Sequence, residues 1–201
     1  MKIVHPLLAC LLIFLTGCTS PPSLPLLADD DVVLAFGDSL TVGYGVSAGE
    51  SYPAQLQGLI SRRVVVAGAS GETTVDALKR LPEILRKVRP ALVIICSGGN
   101  DFLKKYPEKV TVDNLERMIQ IVHDTNARVV VISVPRPSLW PSNHPLYAQL
   151  ASAYDLWIED SILKSVLHDE NLKSDYLHPN AQGYRLIAEA VADLLHRSGA
   201  V

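Results

Sequence analysis

From Asp31 onward the chain alternates short, continuously apolar runs with longer segments in which apolar residues recur every three or four positions. Val32-Val33-Leu34-Ala35-Phe36 is the first run, Val64-Val65-Val66-Ala67 the second, Ala91 to Cys96 the third and Val129 to Ile132 the fourth. Runs this short, β-branched and apolar at every position, predict strands buried on both faces of a parallel sheet. Leu156-Trp157-Ile158 is a weaker fifth run, readable equally as helix.

The gaps between runs carry helical periodicity. Val112, Leu115, Met118, Ile119 and Val122 follow a cap position at Thr111, and Leu186, Ile187, Val191, Leu194 and Leu195 follow Asn180. Two further helices are predicted, between Ser51 and Ile60 and between Thr74 and Val88, the second interrupted at Pro82. Strand–helix alternation of this kind implies right-handed crossovers and a three-layer α/β/α domain around a five-stranded parallel sheet. The chain has 201 residues, enough for one sizeable core, and shows neither an internal repeat nor a second domain. In such a sheet, ligands bind beyond the C-terminal ends of the strands.

The first thirty residues follow a different pattern. Met1-Lys2-Ile3 gives a short positive start, and the apolar run Leu7 to Leu15 is too short to span a bilayer but suits a secretory signal. It ends in Leu15-Thr16-Gly17-Cys18, which resembles a bacterial lipobox. That resemblance implies a signal peptide over residues 1–17, a lipid-modified Cys18 and a Pro/Ser-rich tether over residues 18–30 ahead of a domain at 31–201. A soluble secreted protein cut nearby is the alternative. Acyl chains would supply the membrane affinity. Thr19, rather than Asp, follows the cysteine, which in proteobacterial lipoproteins implies the periplasmic side of the outer membrane. Of the three cysteines, only Cys96 then remains as a free thiol in the domain, and no intrachain disulfide is possible.

Charge removes one class of partner. A net charge of −3 with scattered Lys and Arg lacks the basic footprint that a nucleic acid needs. No HxH, HExxH or Cys/His spacing occurs, so neither a metal nor any other cofactor is expected.

The segments after the strands carry the candidate chemistry. Gly37-Asp38-Ser39-Leu40 follows the first strand and places Ser39 near a helix start, where a serine by itself is more often a helix cap than a nucleophile. It is neither a Walker loop nor a G-x-S-x-G elbow, since Thr41 stands at the last glycine position. Ser70-Gly71-Glu72-Thr73-Thr74 follows the second strand; it reads as a glycine turn and helix cap, or as a backbone N–H of Gly71 presented to a ligand. Gly98-Gly99-Asn100-Asp101 follows the third, with Asn100 a turn residue or an amide donor. Near the C-terminus, Asp175 and His178 are three residues apart on a predicted tight turn. That spacing can set the carboxylate beside Nδ1 and leave Nε2 outward as a base. The other histidines of the domain, His123, His144, His168 and His196, have no such neighbour in sequence and are expected at the surface or in loops.

Taken together and in this order, these blocks resemble the SGNH/GDSL hydrolases, and within them the bacterial arylesterase, thioesterase I and lysophospholipase L1 group. The likeness runs from Val32 to about Leu195 and includes Val134-Pro135-Arg136-Pro137. It implies a flavodoxin-like α/β fold and a serine esterase in which Ser39 is the nucleophile, His178 the base and Asp175 its orienting acid. The oxyanion would be held by the N–H groups of Ser39 and Gly71 and the amide of Asn100. Asp101 reads as a structural turn residue. Tyr176 replaces the small residue common after the catalytic Asp, and with Phe102, Leu139 and Trp140 it is a candidate for lining the substrate pocket. The expected substrate is a small or lipid-like ester: aryl and acyl esters, extending to lysophospholipids or thioesters. The alternatives are an O-acetyl esterase of cell-envelope polysaccharide and an inactive lipid-anchored binding module.

Overall fold

The computed structural model describes residues 21–137 and 141–201. The signal segment, the lipidation position Cys18 and the candidate pocket residues Leu139 and Trp140 lie outside the described residues. Five strands form one sheet: β1 Val32–Gly37, β2 Arg63–Gly68, β3 Leu92–Cys96, β4 Arg128–Ile132 and β5 Trp157–Glu159. All pairs are parallel and their order is β2-β1-β3-β4-β5. The chain leaves β1 for one side of the sheet and later crosses to the other, which makes the β1/β3 boundary the switch point. Gly37 is level with Gly68 on one side and Cys96 on the other, so three strands end together.

β1 and β3 are buried along nearly their whole length, as continuous apolar runs require. β2 differs from the expectation. It is an edge strand, and Val66 remains 44% exposed because no strand covers its outer side. The fifth run is a strand, shifted by one residue and only three long.

Eight helices are described: α1 Ser39–Val42, α2 Tyr52–Ile60, α3 Thr74–Val88, α4 Gly99–Leu103, α5 Glu108–His123, α6 Pro145–Ala153, α7 Ile162–His168 and α8 Ala181–Ser198. α2 packs on α8, and α3 on α5. With right-handed crossovers from this strand order, the two pairs cover opposite faces of the sheet. α3 is not interrupted at Pro82. The proline sits on the exposed side and forfeits one backbone bond, while Ala77, Leu81 and Leu85 hold the helix through its buried stripe. α5 starts at Glu108, one turn before the expected cap, and Thr111 is a buried residue of its first turn. α8 begins as expected: the Asn180 side chain accepts from Gly183 N at 3.0 Å.

The segment read as a tether is in part bound to the domain. Trp157 Nε1 donates to Pro22 O at 3.0 Å, Leu24 N to Ser198 O at 2.8 Å and Leu27 N to Ala200 O at 2.8 Å. Arg62 donates to Leu27 O, and the Leu27 side chain is buried. Residues 22–27 therefore form a strap across the end of the domain where the strands begin.

Candidate active site

The geometry starts from the end of β1. A Cβ at Gly37 would collide with the Cys96 carbonyl, and one at Gly68 would lie 2.6 Å from Val42 N. Glycine at these two positions lets α1 sit directly on the strand ends. Ser39 is the first residue of that helix, and Asp38 caps it by accepting from Leu40 N at 3.0 Å.

The loop from Lys173 to Asn180 folds toward Ser39 and is fixed by its own hydrogen bonds. Ser174 N donates to His178 O, and Asn180 N to Leu172 O. His178 Nε2 lies 3.0 Å from Ser39 Oγ, and its Nδ1 lies 2.9 Å from both oxygens of Asp175. Asp175 also accepts from Leu177 N at 2.8 Å and His178 N at 2.9 Å. Partial burial works to raise its pKa, but the backbone N–H groups and the His178 ring outweigh that and hold it below the usual carboxylate range. An ionised Asp175 keeps the proton on Nδ1 and leaves Nε2 as an acceptor facing the Ser39 hydroxyl. The Tyr44 ring lies against the imidazole with centroids 4.5 Å apart.

Gly71 and Asn100 approach from the other side. Gly71 holds φ +74°, a conformation that favours glycine, and a Cβ there would meet nothing within 4 Å. Asn100 Nδ2 donates to Glu72 O at 2.9 Å and to Asp38 Oδ2 at 3.2 Å. Behind this wall, Arg80 grips Glu72 through two nitrogens at 2.7 and 2.6 Å, reaches the Ala67 carbonyl and lies over the Phe36 ring. Asp101 is fully buried and accepts from the backbone and hydroxyl of Thr74 at the start of α3, so it ties α4 to α3. Burial, opposed by the Leu40 N–H and reinforced by the carboxylates of Glu72 and Asp101, pushes Asp38 up to about 7. Cys96 is buried, and burial raises its thiol well above the ordinary range, which leaves it unreactive.

A cavity of about 250 Å³ opens over Ser39, Gly71, Asn100 and His178. Its walls are mostly apolar, with Leu103, Val134, Pro135 and Leu167 among them; the charged groups at its edge are Arg136 and the ion pair of Lys173 with Glu170 at 2.6 Å. Tyr176 lines it from an exposed position. Phe102 does not line it. It is turned away and stacks on His144 at 4.6 Å, and its neighbour Leu103 takes the wall position, about 100° further round the helix. His144, expected at the surface, is 5% exposed and caps α6 through Nδ1. Asp38, Tyr44, Leu103 and Lys173 belong to the site without having been singled out. Only Asp38 had a signal in the sequence, as the residue before a helix-opening serine.

Residues 35–186 match the GDSL-like Lipase/Acylhydrolase family. An arylesterase of Vibrio mimicus is 32% identical over 174 residues, covering 81% of this chain and 87% of the relative. The thioesterase 1/protease 1/lysophospholipase L1 of Escherichia coli K12 is 30% identical over 173 residues, covering 82% and 83%. The fold is also that of the crystal structure of the psychrotrophic esterase EstA from Pseudoalteromonas sp., with a TM-score of 0.76 and 24% identity over 84% of this chain and 98% of that one. The matched span takes in Ser39, Gly71, Asn100, Asp175 and His178, and the chain belongs to the GDSL-like Lipase/Acylhydrolase family.

Proposed function

We propose that the protein hydrolyses carboxylic esters of short and medium acyl chains, aryl esters among them, with Ser39 as nucleophile. The observation that carries this reading is the unbroken contact from Asp175 through both His178 nitrogens to Ser39 Oγ. Ser39 Oγ bonds to the ester carbonyl carbon as its proton passes to His178 Nε2, and Asp175 stabilises the imidazolium. The negative charge on the former carbonyl oxygen is met by the N–H groups of Ser39 and Gly71 and by the Asn100 amide, which exchanges its longer bond to Asp38 Oδ2 for the oxyanion; losing one such donor typically costs about 10²–10³ in kcat. Collapse breaks the ester C–O bond, and the leaving alcohol takes the proton from His178. Water then repeats the sequence and frees Ser39. The apolar walls of the cavity favour an acyl chain over a sugar. The test is hydrolysis of p-nitrophenyl butyrate together with labelling by a fluorophosphonate. The native chain is expected to do both and Ser39→Ala neither; turnover by a folded Ser39→Ala chain overturns the assignment.

We propose separately that the protein is held at a membrane by an N-terminal lipid. The apolar run before Leu15-Thr16-Gly17-Cys18 supports lipid modification of Cys18, and Thr19 supports the periplasmic face of the outer membrane. Mass analysis of the chain isolated from membranes, compared with Cys18→Ser, tests this through the mass of the acyl chains.

A further inference from the structure

The strap and the catalytic mouth lie at opposite ends of the domain. Its first docked residue, Pro22, is held by Trp157 at the start of β5, and Leu27 is held by Arg62 just before β2. β5 and β2 are the two edges of the sheet, so residues 22–27 cross its full width at the end where strands begin. Ser39 follows the other end of β1, beyond six residues of strand or roughly 20 Å. α8 measures the same separation: it begins three residues after His178 and runs 18 residues, about 27 Å, to Ser198, where Leu24 is bound.

Only three residues, 19–21, separate Cys18 from Pro22. Fully extended, the step from Cys18 to Pro22 spans at most about 14 Å. That reach is shorter than the domain is tall, so an anchor at Cys18 cannot swing the mouth round to the bilayer while the strap stays docked.

We propose that the strap-bearing end of the domain is a membrane-facing surface and that the cleft opens away from the anchoring leaflet, so that its ester substrate comes from the aqueous phase. The proposal rests on the lipid-anchor reading of Cys18 given above. The surface concerned includes the turns at 61–62, 89–91, 124–127 and 154–156, which precede the strands on the same end as the strap. The occupant is the bilayer itself, brought there by the short leash.

The test supplies the anchor chemically, so that its outcome does not depend on natural lipidation. The chain from Cys18 onward, which keeps every described residue, is coupled through that thiol to a maleimide phospholipid in phosphatidylcholine vesicles. Cys96 is 1% exposed and does not compete. Trp140→Phe leaves Trp157 as the sole tryptophan. A second chain carries a twenty-residue Gly/Ser insertion between Ser20 and Pro21. Energy transfer from Trp157 to dansyl-labelled headgroups is expected to be strong in the native-length chain and to fall several-fold with the insertion. Hydrolysis of a long-chain umbelliferyl ester held in the same vesicles is expected to rise at least tenfold with the insertion, while soluble p-nitrophenyl butyrate is turned over equally by both chains. Equal transfer in the two chains, or equal hydrolysis of the vesicle-bound ester, overturns the proposal. Failure of natural lipidation shows separately, in the mass of the membrane-isolated chain, and failure of the esterase reading shows in the soluble substrate.

Discussion

Asn100 Nδ2 donates to Asp38 Oδ2 at 3.2 Å while the other oxygen of that carboxylate accepts from Leu40 N. One buried acid therefore braces both the helix that begins with Ser39 and the amide that faces it across the site. Two accepted hydrogen bonds suit an ionised carboxylate, yet burial pushes its pKa up to about 7. In the unfolded chain the group returns to about 3.8. Between those values the folded protein holds a proton that the unfolded chain does not, so stability from this group falls as pH rises toward 7. Urea unfolding at pH 5 and pH 8 should show a loss on the order of 2 kcal/mol from this source. Asp175 acts in the opposite direction, since its lowered pKa gives stability that is lost on acidification. The difference between native and Asp38→Asn chains isolates the buried acid, and an identical pH dependence in the two would remove Asp38 from the account.

Arg80 holds the other support of the Asn100 amide. Its guanidinium binds the Glu72 carboxylate bidentately, and the Glu72 carbonyl is the second acceptor of Asn100. Arg80→Ala leaves Glu72, with 8% of its side chain exposed, without its cation. The expected loss of stability is about 2 kcal/mol, less than for a fully enclosed pair because water reaches Arg80. The kcat for p-nitrophenyl butyrate should fall several-fold as the Gly71–Glu72 turn loosens. Arg80→Lys restores the charge but not the planar fork, so it should recover stability better than kcat. An Arg80→Ala chain with undiminished kcat would show that the clamp serves the fold alone.

Tyr176 is 60% exposed at the rim of the cavity, between the two residues that contact each other beside Ser39. Its ring faces the Lys173 ammonium, 5.9 Å from the centroid, and most of its surface is open to solvent, so truncation costs little packing. Tyr176→Ala should raise kcat/KM for octanoate relative to butyrate several-fold and leave acetate unchanged. A series of p-nitrophenyl esters measures this, and an unaltered chain-length profile would show that the rim at Tyr176 does not limit the acyl group.

The elements and the site were legible to different depths. Strands showed because an apolar run of five residues at β1 or β3 has one stable environment, the middle of a parallel sheet. β2 has the same pattern, but whether a strand lies at an edge is decided by pairing partners far away in sequence, so the exposure of Val66 was not readable. Pro82 failed as a breaker because tertiary burial of Leu81 and Leu85 outweighs one missing backbone bond. Ser39, Asp175 and His178 could be named because each lies in a short block with its own local logic. The supporting contacts could not: Arg80 to Glu72, Asp101 to Thr74 and Asn100 to Asp38 join blocks 8, 27 and 62 residues apart. The strap was missed for the same reason. Its proline-rich composition describes an extended chain but not the carbonyls of Ser198 and Ala200, at and just beyond the end of α8, that bind it.

The glycines give a paired prediction in which the same substitution has opposite signs. Gly68 ends β2 against the backbone of α1, and a Cβ there would lie 2.6 Å from Val42 N and 2.8 Å from Asp38 O. Neither atom can move without moving the helix that carries Ser39. Gly68→Ala should therefore displace Ser39 from His178 and lower kcat/KM by about 10²-fold, the scale on which a misplacement near 1 Å acts. Gly58 is exposed inside α2, and a Cβ there meets nothing within 4 Å. Gly58→Ala should leave activity unchanged and stabilise the protein by about 0.5–1 kcal/mol, since alanine costs less than glycine to order in a helix. Thermal unfolding and p-nitrophenyl butyrate kinetics on the two variants check both halves. Native activity in Gly68→Ala would mean that α1 does not depend on the close approach at the end of β2.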